Sequence, residues 1–134
     1  MKKITWEYSN PLTNKKTIEE FELENAIKLP QDLKECIEHN NAGMPNLNNF
    51  DTDKTKGRTI KALLSFNQED EENIYDFLEL FRKDGRLKMI PFALDSFGNF
   101  ICLEDNNIVV RLHETETTEF VANSFTEFLD LLYE

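Results

Sequence analysis

Two histidines and two cysteines are the side chains of this 134-residue chain most able to do chemistry at neutral pH. Histidine titrates near neutrality and a cysteine thiolate is a nucleophile, so a pairing of the two types is considered first. The sequence leaves a Cys–His pair open, but nothing marks Cys36 or Cys102 as exposed. His113 stands beside Glu114, as in an acid–base pair, although neighbours on a strand point to opposite faces. We therefore favour a structural or binding role for both, and a capping or surface role for His39 at a helix end.

Residue spacing indicates no metal site and no phosphate site. There is no Cys-x-x-Cys and no His-Glu-x-x-His, and the four glycines are too scattered for a phosphate loop. The segment 51–57 begins like a calcium-binding loop, with Asp51 and Asp53 two residues apart. However, its third ligand position is Thr55, its glycine comes one residue late, and Ala62 stands where a bidentate acid should close the site. We therefore predict no metal, no cofactor and no enzymatic activity, and we interpret the acids of the loop as solvated turn residues.

The element that must position His113 is the β-rich segment 89–114. Two sets of turn residues cut it into three runs: Asp95, Ser96, Gly98 and Asn99, then Asp105, Asn106 and Asn107. Glycine accepts positive φ, while Asn and Asp bond their own backbone, so tight turns are indicated at both places. We predict three antiparallel strands in a meander. In the third run Arg111 and His113 share a face, which is either solvent or a shallow groove.

Helical periodicity predicts four helices. They are expected from residues 13–17 to 25–26, over 30–40, over 67–84, and from Ser124 towards the C-terminus. The helix over 67–84 is the clearest, because Ile74, Phe77, Leu78 and Phe81 form one apolar stripe and Gly85 follows as a stop. Capping-box spacing, a Ser or Thr followed three residues later by Glu, marks Thr17 and Ser124 as helix starts.

Two further strands are predicted outside the meander, at residues 59–66 and 117–122, because apolar residues alternate in the first and β-formers dominate the second. Residues 4–8 form either a short edge strand or an irregular arm, and 45–58 is interpreted as a polar loop. The length fits one domain over residues 1–134. The expected fold class is α+β, a mostly antiparallel sheet of about four to six strands with helices packed on it.

The chain carries a net charge of −11 at pH 7, and its acid is unevenly placed. From Glu104 to the C-terminus there are eight acids and one base, so this stretch carries −7 of the total. Such a charge opposes binding to nucleic acid and favours a basic partner, or it simply keeps the protein soluble. No apolar run approaches about 20 residues, the length that spans a bilayer, and the N-terminus lacks a hydrophobic signal region. We expect no membrane partner, a cytoplasmic location and two free thiols.

Four groups of residues, taken in their order and spacing, carry a family resemblance. They are Leu-Pro-x-Asp-Leu-Lys-x-x-Ile and Asn-Asn-Ala-Gly-x-Pro within 29–45, Ile-Pro-Phe-Ala-x-Asp-x-x-Gly-Asn-x-Ile-Cys at 90–102, His113-Glu114, and Ser-Phe-x-Glu-Phe-Leu at 124–129. Together they resemble the SUKH superfamily, also called the Smi/Knr family, over Ile18 to Leu132. The family usually has Asn-Gly-Gly where this chain has Asn-Ala-Gly, and an aromatic residue commonly stands where Arg111 and Leu112 stand here.

The resemblance implies the same α+β fold, and it implies a function. Bacterial members of the superfamily are regarded as immunity proteins that bind and neutralise the domains of polymorphic toxins, many of them nucleases. On this basis we expect stoichiometric blockade of a basic cognate toxin, with the oligomeric state left open. Two alternatives remain: a general scaffold or regulatory binding module of the Smi/Knr type, and an uncharacterised enzyme that uses His113 and nearby carboxylates.

The footprint of the partner is expected on the exposed turns of the meander and on the acidic stretch that follows it. The residues predicted to contact the partner are Asp95, Asn99, Glu104, Asp105, Arg111, His113, Glu114 and Glu116.

Overall fold

The structure, a computed structural model, describes residues 3–134. Met1 and Lys2 lie outside the described residues. They belong to the N-terminal segment for which the sequence predicted no signal peptide. The helices of the described range are α1 (Thr17–Asn25), α2 (Gln31–Asn40), α3 (Ile74–Phe77) and α4 (Phe125–Leu131), with a 3-10 helix at Leu78–Phe81. Among these described residues no helix is long and apolar enough to span a membrane.

Eleven short strands are found in the same range. They are β1 (Trp6–Glu7), β2 (Met44–Pro45), β3 (Asn49–Phe50), β4 (Arg58–Thr59), β5 (Ala62–Leu63), β6 (Arg82–Lys83), β7 (Arg86–Leu87), β8 (Ile90–Leu94), β9 (Phe100–Glu104), β10 (Asn107–Arg111) and β11 (Thr118–Ala122). Residues 4–8 therefore contain an edge strand, and the segment 45–58, expected as a loop, contains β3 and the ends of β2 and β4.

Five of these strands form the main sheet, in the order β11-β10-β9-β8-β5, and every neighbouring pair is antiparallel. Strands β8 to β11 follow one another along the chain, so the predicted meander is confirmed and gains β11 as a fourth strand. Gly98 and Asp105 have φ angles of 91° and 57° in the two predicted turns, which join β8 to β9 and β9 to β10. Those are the residue types that adopt positive φ most readily. The α+β class and the predicted number of strands are confirmed.

Phenylalanine rings fill much of the core on both faces of the main sheet. Phe100 and Ile101 are consecutive in β9, so their side chains point to opposite faces, and both are buried. Two phenylalanines of α3 and the 3-10 helix pack on Phe100, with ring centroids 5.0 and 5.6 Å away. Phe92 in β8 packs against Phe125 of α4, with the centroids 5.6 Å apart. Because both faces are covered, the turns are the parts of the meander that remain exposed.

The helix predicted over 67–84 is wrong in its extent. Residues 67–72 form turns and Asn73 makes an isolated bridge to Ser65. The α3 helix begins only after Asn73, whose side chain accepts a hydrogen bond from the Asp76 amide at 3.0 Å. The side chains of Asn67 and Asp70 explain the late start. Asn67 donates to the carbonyl of Pro11 at 2.9 Å, and Asp70 accepts from a serine hydroxyl at 2.5 Å. These local and distant bonds replace the ones that a helix would make.

The end of that helix also differs from the prediction. The 3-10 helix stops at Phe81, and the chain continues into the hairpin β6–β7. Asp84 and Gly85 form its two-residue turn, with φ angles of 55° and 78°. Two consecutive positive φ values are typical of the type I′ turns for which Asp-Gly is a preferred sequence. Gly85 therefore makes a hairpin turn and does not stop a helix.

The single strand predicted over 59–66 is also wrong, because the structure divides it. Strand β4 pairs with β3, whereas β5 pairs with β8 in the main sheet. Between them the Ile60 amide donates to the Asn48 carbonyl at 2.9 Å, and the next amide, of Lys61, donates to the Leu94 carbonyl at 2.8 Å. The backbone thus changes partner within one residue, which the alternation of apolar side chains does not reveal.

The other predicted helices α1, α2 and α4 lie where expected, to within one residue of their predicted starts. Of the two capping boxes, the second is confirmed, because Ser124 Oγ accepts a hydrogen bond from the Glu127 amide at 3.0 Å. The first is wrong. Thr17 is already inside α1, and its hydroxyl donates to the carbonyl of Asn14 at 2.8 Å instead of capping the helix.

Candidate functional site

The eight predicted contact residues do not form one patch. Successive turns of an antiparallel meander lie at alternate ends of the sheet, so the β8–β9 turn and the β10–β11 turn share one end. We call this the Phe97 end; it consists of residues 95–99 and 111–117. Six of the eight lie there: Asp95, Asn99, Arg111, His113, Glu114 and Glu116. Glu104 and Asp105 lie at the opposite end, one five-residue strand or about 17 Å away.

Asp95 builds the β8–β9 turn. It is buried, and its carboxylate accepts hydrogen bonds from the amides of Phe97 (2.8 Å) and Asn99 (2.9 Å) and from the side-chain amide of Asn99 (2.8 Å). The Asn99 carbonyl oxygen Oδ1 in turn accepts from the amide of His113 at 2.9 Å, which ties the two turns of this end together. Asp95 and Asn99 therefore hold the Phe97 end in a fixed shape.

Arg111 and His113 have different environments, although the alternation placed them on one face. Arg111 is half-buried, with its guanidinium 5.4 Å from the ring centroid of Phe81 and 3.7 Å from the carboxylate of Glu116. His113 lies past the end of β10 in an exposed turn. Across residues 3–134, no hydrogen bond or ion pair joins the side chains of His113 and Glu114. The two do not form the acid–base pair considered from sequence.

Neither thiol is poised for nucleophilic chemistry. Burial raises the pKa of Cys36 to about 11 and raises that of Cys102, which is fully buried, further still. Both thiols are therefore protonated at neutral pH, and the thiolate is the reactive form. His39 is exposed and its Nδ1 lies 2.8 Å from the carbonyl of Glu35, one turn earlier in α2. Among residues 3–134 no group of His, Cys, Asp and Glu side chains is arranged to hold a metal ion.

Residues 51–57, which we call the edge loop, cover the outer edge of β11. Asp53 bonds both backbone groups of Phe120: its amide donates to the carbonyl at 2.9 Å and its carboxylate accepts from the amide at 3.0 Å. Asp51 accepts from the Gly57 amide at 2.9 Å and from the hydroxyl of Tyr133 at 2.7 Å. The expectation that these acids are merely solvated is wrong. They hold the loop where it shields an edge strand, a position prone to unwanted pairing.

Glu119 of β11 also binds the edge loop, through its side chain. Its carboxylate accepts hydrogen bonds from Thr52 Oγ1 (2.7 Å), Thr55 Oγ1 (3.1 Å) and Arg58 Nε (3.2 Å). Burial alone would raise the pKa of this carboxyl, but the bonds from Arg58 and the two threonines outweigh burial and lower it. Glu119 is therefore a structural anion, although it belongs to the acidic stretch from which a partner footprint was expected.

Phe97 is the residue of this end that sequence reasoning missed. Its side chain is 77% exposed at the tip of the β8–β9 turn. It separates two shallow grooves. One, of about 260 Å³, is lined by Arg58, Phe97, Asn99, Leu112, Glu114 and Thr115. The other, of about 320 Å³, is lined by Met44, Pro45, Asn48, Thr59, Ile60, Lys61, Ser96 and Phe97. The available signal was an aromatic residue in the middle of a run of turn-forming residues.

The fold and this end of the sheet define an α+β protein whose meander turns are exposed. The SMI1 / KNR4 family (SUKH-1) matches the chain over residues 12–131, and the chain belongs to that family. The resemblance drawn from the sequence is thereby confirmed. This family is known to include immunity proteins. No curated protein sequence matches this chain.

Proposed function

We propose that this protein is an immunity protein, which binds a cognate polymorphic toxin of the nuclease class and neutralises it by stoichiometric blockade. The observation that carries the proposal is family membership over residues 12–131, because the family includes immunity proteins. The protein acts as a single, non-catalytic domain in the cytoplasm. It covers the active site of the toxin and does not chemically modify the toxin.

The charge of the chain supports a basic partner. A nuclease attracts the phosphates of its substrate with Lys and Arg side chains, so the surface around its active site is positive. A protein of net charge −11 is attracted to the same surface and competes with nucleic acid for it. The two exposed acids at the opposite end of the sheet, Glu104 and Asp105, add to this long-range field whether or not they touch the partner.

Co-expression with the toxin domain encoded beside the gene for this chain tests the proposal. Cells producing the toxin domain alone are expected to stop growing, and cells that also produce this protein are expected to grow and to yield a one-to-one complex on purification. A control strain carries the same plasmid with an early stop codon in this chain. Failure of both rescue and co-purification would contradict the immunity function and leave the general binding role of the Smi/Knr type.

The association rate with the toxin is expected to fall as salt rises. Screening shortens the reach of the −11 charge, so a fall of about three- to tenfold is expected between about 50 and 500 mM NaCl. Surface plasmon resonance with an inactive toxin domain measures it. The dissociation rate from the same traces is the internal control, because steering acts mainly on encounter. An association rate that does not change with salt would show that the charge of the chain does not steer the encounter.

A further inference from the structure

Phe97 has the properties of an interface anchor. Its aromatic side chain is 77% exposed, yet its backbone is held by the carboxylate of Asp95, which accepts the Phe97 amide at 2.8 Å. The same carboxylate holds both ends of the turn, through the amides of Asn99. An exposed aromatic on a fixed turn loses little conformational freedom when it binds, and aromatic residues are enriched among those that dominate binding energy.

Apolar side chains surround Phe97 on both sides. Met44, which is 38% exposed, lines the groove on one side, and the half-buried Leu112 lines the groove on the other. We call Met44, Phe97, Leu112 and Glu114 the Phe97 surface. A raised aromatic between two shallow grooves, of which the one beside Met44 is mainly apolar and the one beside Leu112 is mixed in polarity, fits a partner that has a pocket for the ring and ridges for the grooves.

The charges around the Phe97 surface indicate which partner it fits. Both cations that line the grooves are neutralised within the chain, Arg58 by Glu119 at 3.2 Å and Lys61 by Glu72 at 2.9 Å. Glu114, in contrast, has no Lys, Arg or His nitrogen within 4.0 Å among the described residues 3–134. The surface therefore presents an apolar centre with one uncompensated carboxylate at its border, which a Lys or Arg side chain of the partner complements.

We propose that the Phe97 surface is where the toxin docks, with Phe97 in an apolar pocket of the toxin and a toxin Lys or Arg against Glu114. This inference rests on the proposed immunity function. It assigns the contact to one end of the sheet and leaves Glu104 and Asp105, at the opposite end, outside it. The α1 helix contributes no residue to either groove and lies outside it as well.

The test compares Phe97→Ala with Leu23→Ala. Leu23 is a matched control, because it is 78% exposed and lies on α1. The dissociation constant for the inactive toxin domain encoded beside the gene is measured by calorimetry. Phe97→Ala is expected to weaken binding at least about tenfold, and Leu23→Ala less than about twofold. Glu114→Gln is expected to weaken binding severalfold and to reduce its salt dependence.

A second variant, Ser96→Arg, tests the same surface without removing the Phe97 ring. Ser96→Arg places a cation beside Phe97 in an exposed position and is expected to weaken binding of a basic toxin by a similar factor. Melting temperatures check that the variants fold. If Phe97→Ala and Ser96→Arg both bind the toxin domain as tightly as the wild-type protein does, the docking surface alone is overturned. An equal loss of affinity in Leu23→Ala would overturn it as well. Absence of wild-type binding would instead overturn the proposed function, and the docking surface with it.

Discussion

Replacing Asn41 with alanine is expected to lower the free energy of unfolding by about 3 kcal/mol, although Asn41 is not one of the proposed contact residues. Its side chain is 1% exposed. Its Nδ2 donates to the carbonyl of Asn10 at 2.9 Å and to Ser65 Oγ at 3.0 Å, and its Oδ1 accepts from the Phe66 amide at 2.9 Å. Alanine removes all three bonds and leaves the buried Phe66 amide without an acceptor, which is the costly case for a hydrogen bond.

The bonds of Asn41 belong to a larger polar network. Ser65 Oγ also donates to Asp70, and Asp70 accepts from the side chain of Asn10 at 2.8 and 2.9 Å. The network thus ties three distant segments together: the N-terminal arm, the end of α2, and residues 65–70. Loss of its central member is expected to loosen all three.

Urea denaturation measures the effect, with Asn40→Ala as the matched control. Asn40 is the neighbouring residue of the same Asn-Asn motif, but within residues 3–134 the one hydrogen bond of its side chain is a long contact of 4.0 Å to the sulfur of Cys36. The Asn40→Ala variant is expected to lower the free energy of unfolding by less than about 1 kcal/mol. Equal costs for the two variants would contradict the assignment of Asn41 as the centre of the network.

Replacing Glu119 with glutamine is expected to lower the free energy of unfolding by about 2 kcal/mol at neutral pH. The change keeps the shape of the side chain but leaves Arg58, paired at 3.2 Å, without its counter-ion, and it weakens the hold on the edge loop. Glu116→Gln is the control. Its side chain is 79% exposed and its contact with Arg111 is 3.7 Å, so it is expected to cost less than about 0.5 kcal/mol.

The effect of Glu119→Gln is expected to shrink in acid. The pKa of Glu119 is lowered from its ordinary value of 4.5, so the ionised carboxylate contributes its stability in full above about pH 4.5. That contribution is lost as the pH falls through the lower, folded-state pKa. Urea denaturation at several pH values between 7 and 3 should show wild type and variant converging. A difference between them that stays constant over this range would contradict the role of the charge.

The meander was predictable because local chemistry decides it. Alternating apolar residues and two sets of turn residues lie within residues 89–114, and no distant segment changes their pairing. The helix over 67–84 failed for the opposite reason. Its apolar stripe at Ile74, Phe77, Leu78 and Phe81 is real, but the start is decided by Asn67 and Asp70, which bond to residues as distant as Asn10 and Pro11. Periodicity contains no information about such partners.

The family signature identifies the fold better than it identifies the contact. Asn41 centres a buried network, Asp95 builds a turn, and Ser124 caps a helix. Each of these signature residues holds the scaffold together. Phe97, which lies between the signature residues Asp95 and Gly98, is exposed and has no such role in the fold. A partner-contacting residue of that kind is recognised only once the structure shows its exposure and its neighbours.

The grouping of the predicted contacts also needed the structure. Sequence placed Glu104, Asp105 and Glu116 in one acidic stretch, but antiparallel geometry sends the β9–β10 turn to the opposite end of the sheet from the β10–β11 turn. Glu119, from the same stretch, is neutralised by Arg58. Charge counted along a chain therefore overstates the charge that any one surface presents.

Titration of the purified toxin with this protein tests the central claim most directly. The activity of the toxin domain encoded beside the gene is measured at increasing molar ratios, at a toxin concentration well above the dissociation constant. Stoichiometric blockade predicts that toxin activity falls linearly with the molar ratio of this protein and reaches background at one equivalent. At each ratio the loss is complete immediately after mixing. Activity that continues to decline with time at a small fraction of an equivalent, or that persists at an excess of this protein, would contradict it.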